Sequence, residues 1–489
     1  MSKIKASRIP VLGNKLKSSL NRPALSSIAY TVSSLAARGV GFLLTPLFTR
    51  LYTPRQFGAF SMFQSYLSIL FIVGSLEICS GVIIRLLISE SKSKDTLIYS
   101  ALRVMLLGSA AALGIFFILH SLFPEESFAG FGIALTVCTL CRCTVSIFVS
   151  NAKFHYRIGS VVAVSFIEST LPPLITLSLY RIFDIRGYAL ISVRVLVYSC
   201  VMLLIAVPVF LRIRAKARSG NAPCADERRA LTKKILKTAA PMLPYYISMI
   251  VISQGDKVLI GRTLGEEALG GYGVAYSLGS ALTMLTSGLI GVLMPWISRK
   301  LRDKRIGIAR RVSKRLYCLS ALVTLIILCL SPELLSILAP QSYGNTLILV
   351  FPIALSSPTL LLHSLCVTAN LRYGISTGVI LSGVIPALVF VLSGILTMPV
   401  YGVTATAVAL PIVYLISFII SSVSLKIKGG FSLLSANDYL QITLFLLIFA
   451  GIIYSLSFNI TIRLLIAALL SGALLIILYK SKEFISEAK

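Results

Sequence analysis

The chain has 489 residues, 56% of them hydrophobic and 13% charged, with a mean hydropathy of +0.91. Those values exclude an ordinary soluble domain and describe a polytopic helical membrane protein; the short alternating segments of a β-barrel are absent. A formal charge of +29 invites a nucleic-acid reading, but the charges gather between apolar runs, so no nucleic acid is expected as a partner.

Apolar runs of about 20 residues, each enough to cross about 30 Å of hydrocarbon, recur along the chain. They predict spans near 25–48, 58–84, 97–119, 128–150, 160–180, 187–211, 239–261, 267–297, 314–339, 346–370, 375–397, 402–424, 439–457 and 460–479. Residues 1–24 form a basic cytoplasmic tail without the short apolar core and cleavage site of a signal peptide. The longest hydrophilic stretch, 212–238, holds Ser219, Gly220, Asn221, Pro223 and nine basic residues. It divides an N-lobe of six spans (25–211) from a C-lobe of six (239–424); residues 425–489 add two spans and a tail. The predicted fold is an all-α integral membrane protein of about 14 transmembrane helices. Two parallel-repeat six-helix lobes surround a central cavity, with two helices appended.

Of the 46 Lys and Arg residues, 35 fall on the side of the N-terminus, six on the other and five within spans. This positive-inside bias predicts both termini in the cytoplasm and an even number of spans. The clusters Arg212–Lys237 and Arg299–Arg315 read as topology determinants beside anionic membrane lipids.

A faint repeat relates the halves. Arg50-Leu-Tyr-Thr-Pro-Arg-Gln-Phe-Gly-Ala-Phe60 joins the first two spans, and Arg262-Thr-Leu-Gly-Glu-Glu-Ala-Leu-Gly-Gly-Tyr272 joins the seventh and eighth. At an offset of 212 positions, Arg50 matches Arg262, Phe57 Leu269, Gly58 Gly270 and Phe60 Tyr272. An even number of spans per half implies an axis along the membrane normal.

Five basic residues lie inside the spans: Arg38, Arg103, Arg142, Arg194 and Lys257. An unpaired cation at mid-membrane costs roughly 2.5–3.5 kcal/mol, so these side chains are expected to face a wet cavity and an anionic cargo. At 1.5 Å rise per residue, Arg38 lies roughly 20 Å from the cytoplasmic end of its span and Arg142 about as far from the periplasmic end of its own, both near mid-membrane. Arg103 and Arg194 lie only about 10 Å from an end, within reach of snorkelling. Small residues surround Arg38 (Ser33, Ser34, Ala36, Ala37, Gly39 and Gly41), leaving room for a bulky headgroup, and guanidinium donates bidentate hydrogen bonds to oxyanions. Arg38 and Arg142 lead as contacts to the anionic cargo. The acids within spans are Glu77, Glu168 and Asp256. Glu77 and Glu168 are expected to pair with bases. Asp256 and Lys257, about 100° apart around a helix, are expected to serve different neighbours, Asp256 taking a coupling proton or sodium ion.

Other chemistry finds little support. Cys138, Cys141 and Cys143 lie mid-span without a second Cys/His cluster and read as packing residues. No Walker motif or H-E-x-x-H occurs, and His120, His155 and His363 are isolated, so neither enzyme activity nor a cofactor or metal is expected. Pro172-Pro173, Pro241, Pro244, Pro352, Pro358, Pro386 and Pro411 interrupt spans, as membrane helices tolerate.

The segment Thr49-Arg-Leu-Tyr-Thr-Pro-Arg-Gln-Phe-Gly58, with Pro241, Pro244, Asp256-Lys257, Ile260, Gly265, Gly270, Tyr272 and Ala275, resembles bacterial polysaccharide flippases. These form the Wzx-type branch of the multidrug/oligosaccharidyl-lipid/polysaccharide exporter superfamily. The resemblance covers nearly the full length in span count, repeat and loop sizes. It implies ion-coupled alternating access that moves an undecaprenyl-diphosphate-linked oligosaccharide to the periplasmic leaflet, the repeat unit of an O-antigen, capsule or exopolysaccharide. A polysaccharide polymerase and a chain-length regulator are the protein partners such a cargo implies. The family's cavity cations follow no fixed motif, so the five bases above rest on this sequence alone. Competing readings are a peptidoglycan-precursor flippase or drug antiporter of the same superfamily. A membrane polymerase or glycosyltransferase is disfavoured by the short extracytoplasmic loops.

Overall fold

The computed structural model describes residues 22–80, 82–89, 94–122, 131–155, 157–219, 225–344, 346–456 and 459–487. These are helical throughout, with no strand among them. In chain order the helices are α1 (Arg22–Leu51), α2 (Pro54–Ser75), α3 (Val82–Ser89), α4 (Lys94–Leu122), α5 (Gly132–Phe154), α6 (Ile158–Phe183), α7 (Tyr188–Ser219) and α8 (Ala225–Ala239). The second half holds α9 (Leu243–Gly279), α10 (Ala281–Arg302), α11 (Ile306–Leu338), α12 (Leu347–Arg372), α13 (Ser376–Tyr401) and α14 (Val403–Gly429), followed by α15 (Ala436–Ser455) and α16 (Ile460–Glu487).

Eleven of these segments are long and apolar enough to cross a membrane, and Gly39–Leu51 and Ile460–Leu474 are shorter apolar pieces. The segment Arg228–Gly279 counts once there, yet Gly265 (φ 88°, ψ 171°) breaks it into two limbs, which are the seventh span and the start of the eighth. The fourteen predicted spans are thereby accounted for. The predicted second span also breaks: α2 ends at Leu76 and Glu77, both left-handed, and α3 continues after them.

The segment that carried the sequence repeat is a helix start. Thr53 accepts a hydrogen bond from the Gln56 amide at 3.3 Å, and the Gln56 side chain accepts one from the Thr53 amide at 3.0 Å. With Pro54 in the first turn, this is a capping box with a preset first φ, and it reverses the chain between α1 and α2. Gly58 follows because α2 crosses the second limb of α9 backbone to backbone. A Cβ at Gly58 would lie 1.8 Å from the Glu266 carbonyl oxygen, and one at Gly270 would lie 2.0 Å from that of Pro54. Adding 212 to Pro54 gives 266, and to Gly58 gives 270. The two contacts are therefore the same contact seen from either half, the signature of a two-fold relation between the lobes.

Around this crossing the halves are tied by polar contacts. Tyr343 donates to the Tyr52 carbonyl at 3.1 Å, Arg262 donates to the Tyr66 hydroxyl at 3.0 Å, and Tyr188 donates to Glu266 at 3.1 Å. Arg55 reaches the same Glu266 oxygen at 3.4 Å, and Thr49 donates to the Leu338 carbonyl. The crossing lies at the end of the bundle bearing residues 51–53, 184–187 and 339–344, the sparsely charged end. The loops at 299–305 and 429–435 lie at the opposite, basic end.

The appended pair is anchored by a contact that the sequence reading misplaced. Arg463, one of the six bases assigned to the sparsely charged side although it stands at the start of the predicted span 460–479, is 3% exposed. Its guanidinium donates to both Glu333 oxygens at 2.9 and 2.7 Å and to the Cys329 carbonyl at 2.6 Å. A bidentate pair suits this partly dry site because both carboxylate oxygens are satisfied together.

Gly58→Ala should lower stability by about 1–3 kcal/mol, the usual cost of overpacking a rigid contact, because the facing atom is backbone. Gly114→Ala, where a Cβ meets nothing within 4 Å, should be neutral. Melting of the two purified variants in detergent separates them; equal melting temperatures would show that the crossing yields.

Candidate functional site: a cationic two-chamber cavity

Beneath the crossing lie two chambers of about 440 and 360 Å³, each within the range of about 300–1,000 Å³ usual for small-ligand sites. Gly41, Phe60, Gln64, Ser68 and Arg194 line both, so Arg194 stands in the partition between them. The first chamber runs between α1, α2, α5, α6 and α7 and adds Arg142, Glu168, Tyr198 and the Pro172-Pro173 pair. The second runs between the halves and adds Gln254, Lys257, Tyr276 and Ser277 from α9. Gly41 supplies space where α1 passes: a Cβ there would meet nothing within 4 Å.

Three predicted cations thus line the two chambers, Arg142 the first, Lys257 the second and Arg194 both. Arg194 is held between two aromatic faces, its guanidinium carbon 3.6 Å from the Phe48 ring centre and 3.8 Å from that of Phe60. Its Nη1 is buried with no hydrogen-bond partner among the described residues. Stacking orients the fork and leaves its N–H edge available. Arg142 lies 5.0 Å from the Phe71 ring and makes no ion pair with a described residue. Glu168 lines the same chamber and accepts only a long hydrogen bond from Tyr198, at 3.4 Å.

Lys257 corrects the expectation that it and Asp256 serve different neighbours. Its ammonium curls back to the Asp256 carboxylate at 3.1 and 3.3 Å and to the Ser253 carbonyl at 3.1 Å. The four-carbon stem is long enough to overcome the 100° separation of the two Cα positions. Asp256, wholly buried, also accepts from the Tyr272 hydroxyl at 2.6 Å and from the Lys257 amide at 2.8 Å. Lys257 sits 3.5 Å over the Tyr276 ring and still lines the second chamber.

The remaining nominations fall elsewhere. Arg103 is exposed and borders a separate groove against α8. Glu77 occupies the break after α2 and lines neither chamber. The Arg38 side chain lies outside the described residues, although its backbone is within α1. Among the described residues no cluster of metal-ligating side chains is present. Cys138 and Cys143 contact the hydroxyls of Ser199 and Ser109 at 3.2 and 3.1 Å. Gln64 and Gln254 were missed as cavity residues, though an amide inside an apolar run was a legible signal.

The description "polysaccharide biosynthesis protein" matches residues 25–301, more than half of the chain. The protein belongs to that family. No curated protein matches the chain in sequence. Among solved structures it is similar to the lipid II flippase MurJ in an inward closed conformation, at 16% identity and TM-score 0.62, covering 92% of this chain and 99% of that one. It is similar also to the Vibrio cholerae MATE transporter VcmN in the bent form (14% identity, TM-score 0.51, 83% and 98% covered). A third likeness is a MOP superfamily transporter from Pyrococcus furiosus (12% identity, TM-score 0.53, 82% and 94% covered). At these identities the likeness is one of fold: this polysaccharide biosynthesis family member is a multi-pass membrane protein with the transporter fold of that superfamily.

Removing Asp256 alone should be severe, because Lys257 would remain as a buried cation without its partner, at a cost of about 3–5 kcal/mol. Asp256→Ala should therefore melt well below the parent protein in detergent, and Asp256→Leu combined with Lys257→Met should recover most of the loss. If the double variant melts as low as the single one, the pair is not what holds this part of α9.

Proposed function

We propose that this protein is a flippase for an undecaprenyl-diphosphate-linked oligosaccharide, carrying it from the cytoplasmic to the periplasmic leaflet. The single observation that carries the reading is the two-chamber cavity, where Arg142, Arg194 and Lys257 stand against one lining carboxylate, Glu168, among the described residues. A drug exporter that handles organic cations needs the opposite sign. Arg142 and Arg194 are the phosphate contacts: both guanidinium groups are oriented by aromatic rings and neither is consumed by a carboxylate. Lys257 is already neutralised by Asp256 and contributes positive edge to the second chamber. Arg38 keeps its nomination from the sequence.

The basic end is cytoplasmic by the positive-inside rule. The glycine crossing and its polar ties then close the periplasmic end, and export requires them to part. Glu168 is the better coupling residue of the three acids. Asp256 is filled by its donors, whereas Glu168 has one long contact. Pro172 and Pro173 also cannot donate to the carbonyls of Glu168 and Ser169 four residues earlier. A carboxylate and two released carbonyls at a cavity wall form the hard-oxygen set that suits sodium or a hydrated proton. Glu168→Gln should leave transport independent of the ion gradient; retained dependence would return the role to Asp256.

Arg142→Ala and Arg194→Ala should each reduce surface polysaccharide at least about tenfold, the equivalent of one lost charge-assisted hydrogen bond of about 1.5–3 kcal/mol, with normal insertion and accumulation of lipid-linked repeat units. Export at the parental level would remove them from the site. Deleting the gene discriminates the nearest rival: viable cells lacking surface polysaccharide support this reading, whereas lysis supports a peptidoglycan-precursor flippase.

A further inference from the structure

A groove separate from the central cavity lies between α4 and α8. It encloses about 790 Å³, and Arg103, Arg228, Arg229, Lys233 and Lys237 line it without a single carboxylate. Its walls are apolar: Val104 and Leu107 from α4 and Leu236 from α8.

Helix α8 is built to present this face. Its sequence is too polar to cross a membrane, and it packs inward through Leu231, Ile235 and Ala239 against Ile83, Leu97 and Met105. Arg229, Lys233 and Lys237 recur every four residues and therefore stack along one side of the helix, all exposed. Opposite them, Arg103 stands nine residues into α4, roughly 13 Å from its start, on an exposed surface beside Leu107 at 67% exposure.

This combination has a physical consequence. Arg103 is placed where the hydrocarbon meets the headgroups, and the protein supplies it with no acidic partner among the described residues. Three further cations converge on it from α8. The chemistry that satisfies them is a phosphate at the membrane surface whose acyl chain lies along Leu107 and Leu236. A soluble anion would satisfy the charges but leave that apolar wall uncovered.

We propose that the groove between α4 and α8 is a binding site for one anionic phospholipid of the bilayer, its phosphate held by Arg103, Arg229, Lys233 and Lys237. A lipid seated there bridges α4 to α8, the helix that leads from the first half into the second. The proposal is independent of the cargo assigned to the central cavity.

Native mass spectrometry of the purified full chain in detergent tests it, with dioleoyl phosphatidylglycerol, dioleoyl phosphatidylcholine or sodium phosphate as the added probe. The protein should retain phosphatidylglycerol and not phosphatidylcholine, and millimolar phosphate should not displace it. Arg229→Gln/Lys233→Gln/Lys237→Gln should weaken retention at least about tenfold, and Arg103→Gln should weaken it severalfold. Arg302→Gln/Lys304→Gln/Arg305→Gln, which removes the same charge from another basic loop, should not. All these positions are exposed, so unchanged melting temperatures establish that the variants are folded. Equal retention of the two lipids, equal loss in both triple variants, or displacement by free phosphate would overturn the proposal.

Discussion

The two halves of this protein touch backbone to backbone where α2 crosses α9, and the cavity opens below that contact. Where α2 crosses the second limb of α9, the facing positions are Gly58 with Glu266 and Gly270 with Pro54. No side chain fits between the helices there, so they close tightly at the sparsely charged end. Below the crossing Phe57, Phe60, Ser61 and Gln64 follow along α2 as lining residues, and the helices separate around open space. A seal of small atoms above a vestibule is how two rigid bundles meet at one end without filling the space between them.

That space sets the electrostatics. A guanidinium in lipid is costly, but one stacked on aromatic rings at a chamber wall is held and aimed. Arg194 between Phe48 and Phe60 is the clearest case, because stacking satisfies the faces of the ion and leaves its edge for a ligand. Lys257 is treated differently: its charge is absorbed by Asp256, itself held by Tyr272. Among the described residues the cavity thus holds two cations without a carboxylate partner and one already paired. Formal charge in a membrane cavity is a poor guide to binding until the pairs have been removed.

Much of the architecture was legible in the sequence, because apolar span length is a direct consequence of bilayer thickness. The repeat at an offset of 212 was also legible, and its glycines mark the crossing itself. The spans alone did not reveal direction. Arg103 and Arg194 read alike as cations about 10 Å from a span end, yet one faces a flank and the other a chamber. Which way a side chain faces depends on how its helix packs against others, and a nearly uniform apolar helix carries no stripe that reports it. The Arg463–Glu333 pair was missed for a related reason: its partners are 130 positions apart and meet only through the docking of α16 on α11. The Asp256–Lys257 contact was misjudged because Cα geometry ignores the reach of a lysine.

The central claim is that two aromatic-oriented arginines in a shared cavity recognise a lipid diphosphate. Competitive binding of undecaprenyl diphosphate and neutral undecaprenol to the purified protein tests it most directly, in the parent and in the Arg142→Gln/Arg194→Gln variant. The account predicts strong preference for the diphosphate in the parent, reduced at least about tenfold in the variant. A preference that survives loss of both guanidinium groups would contradict it.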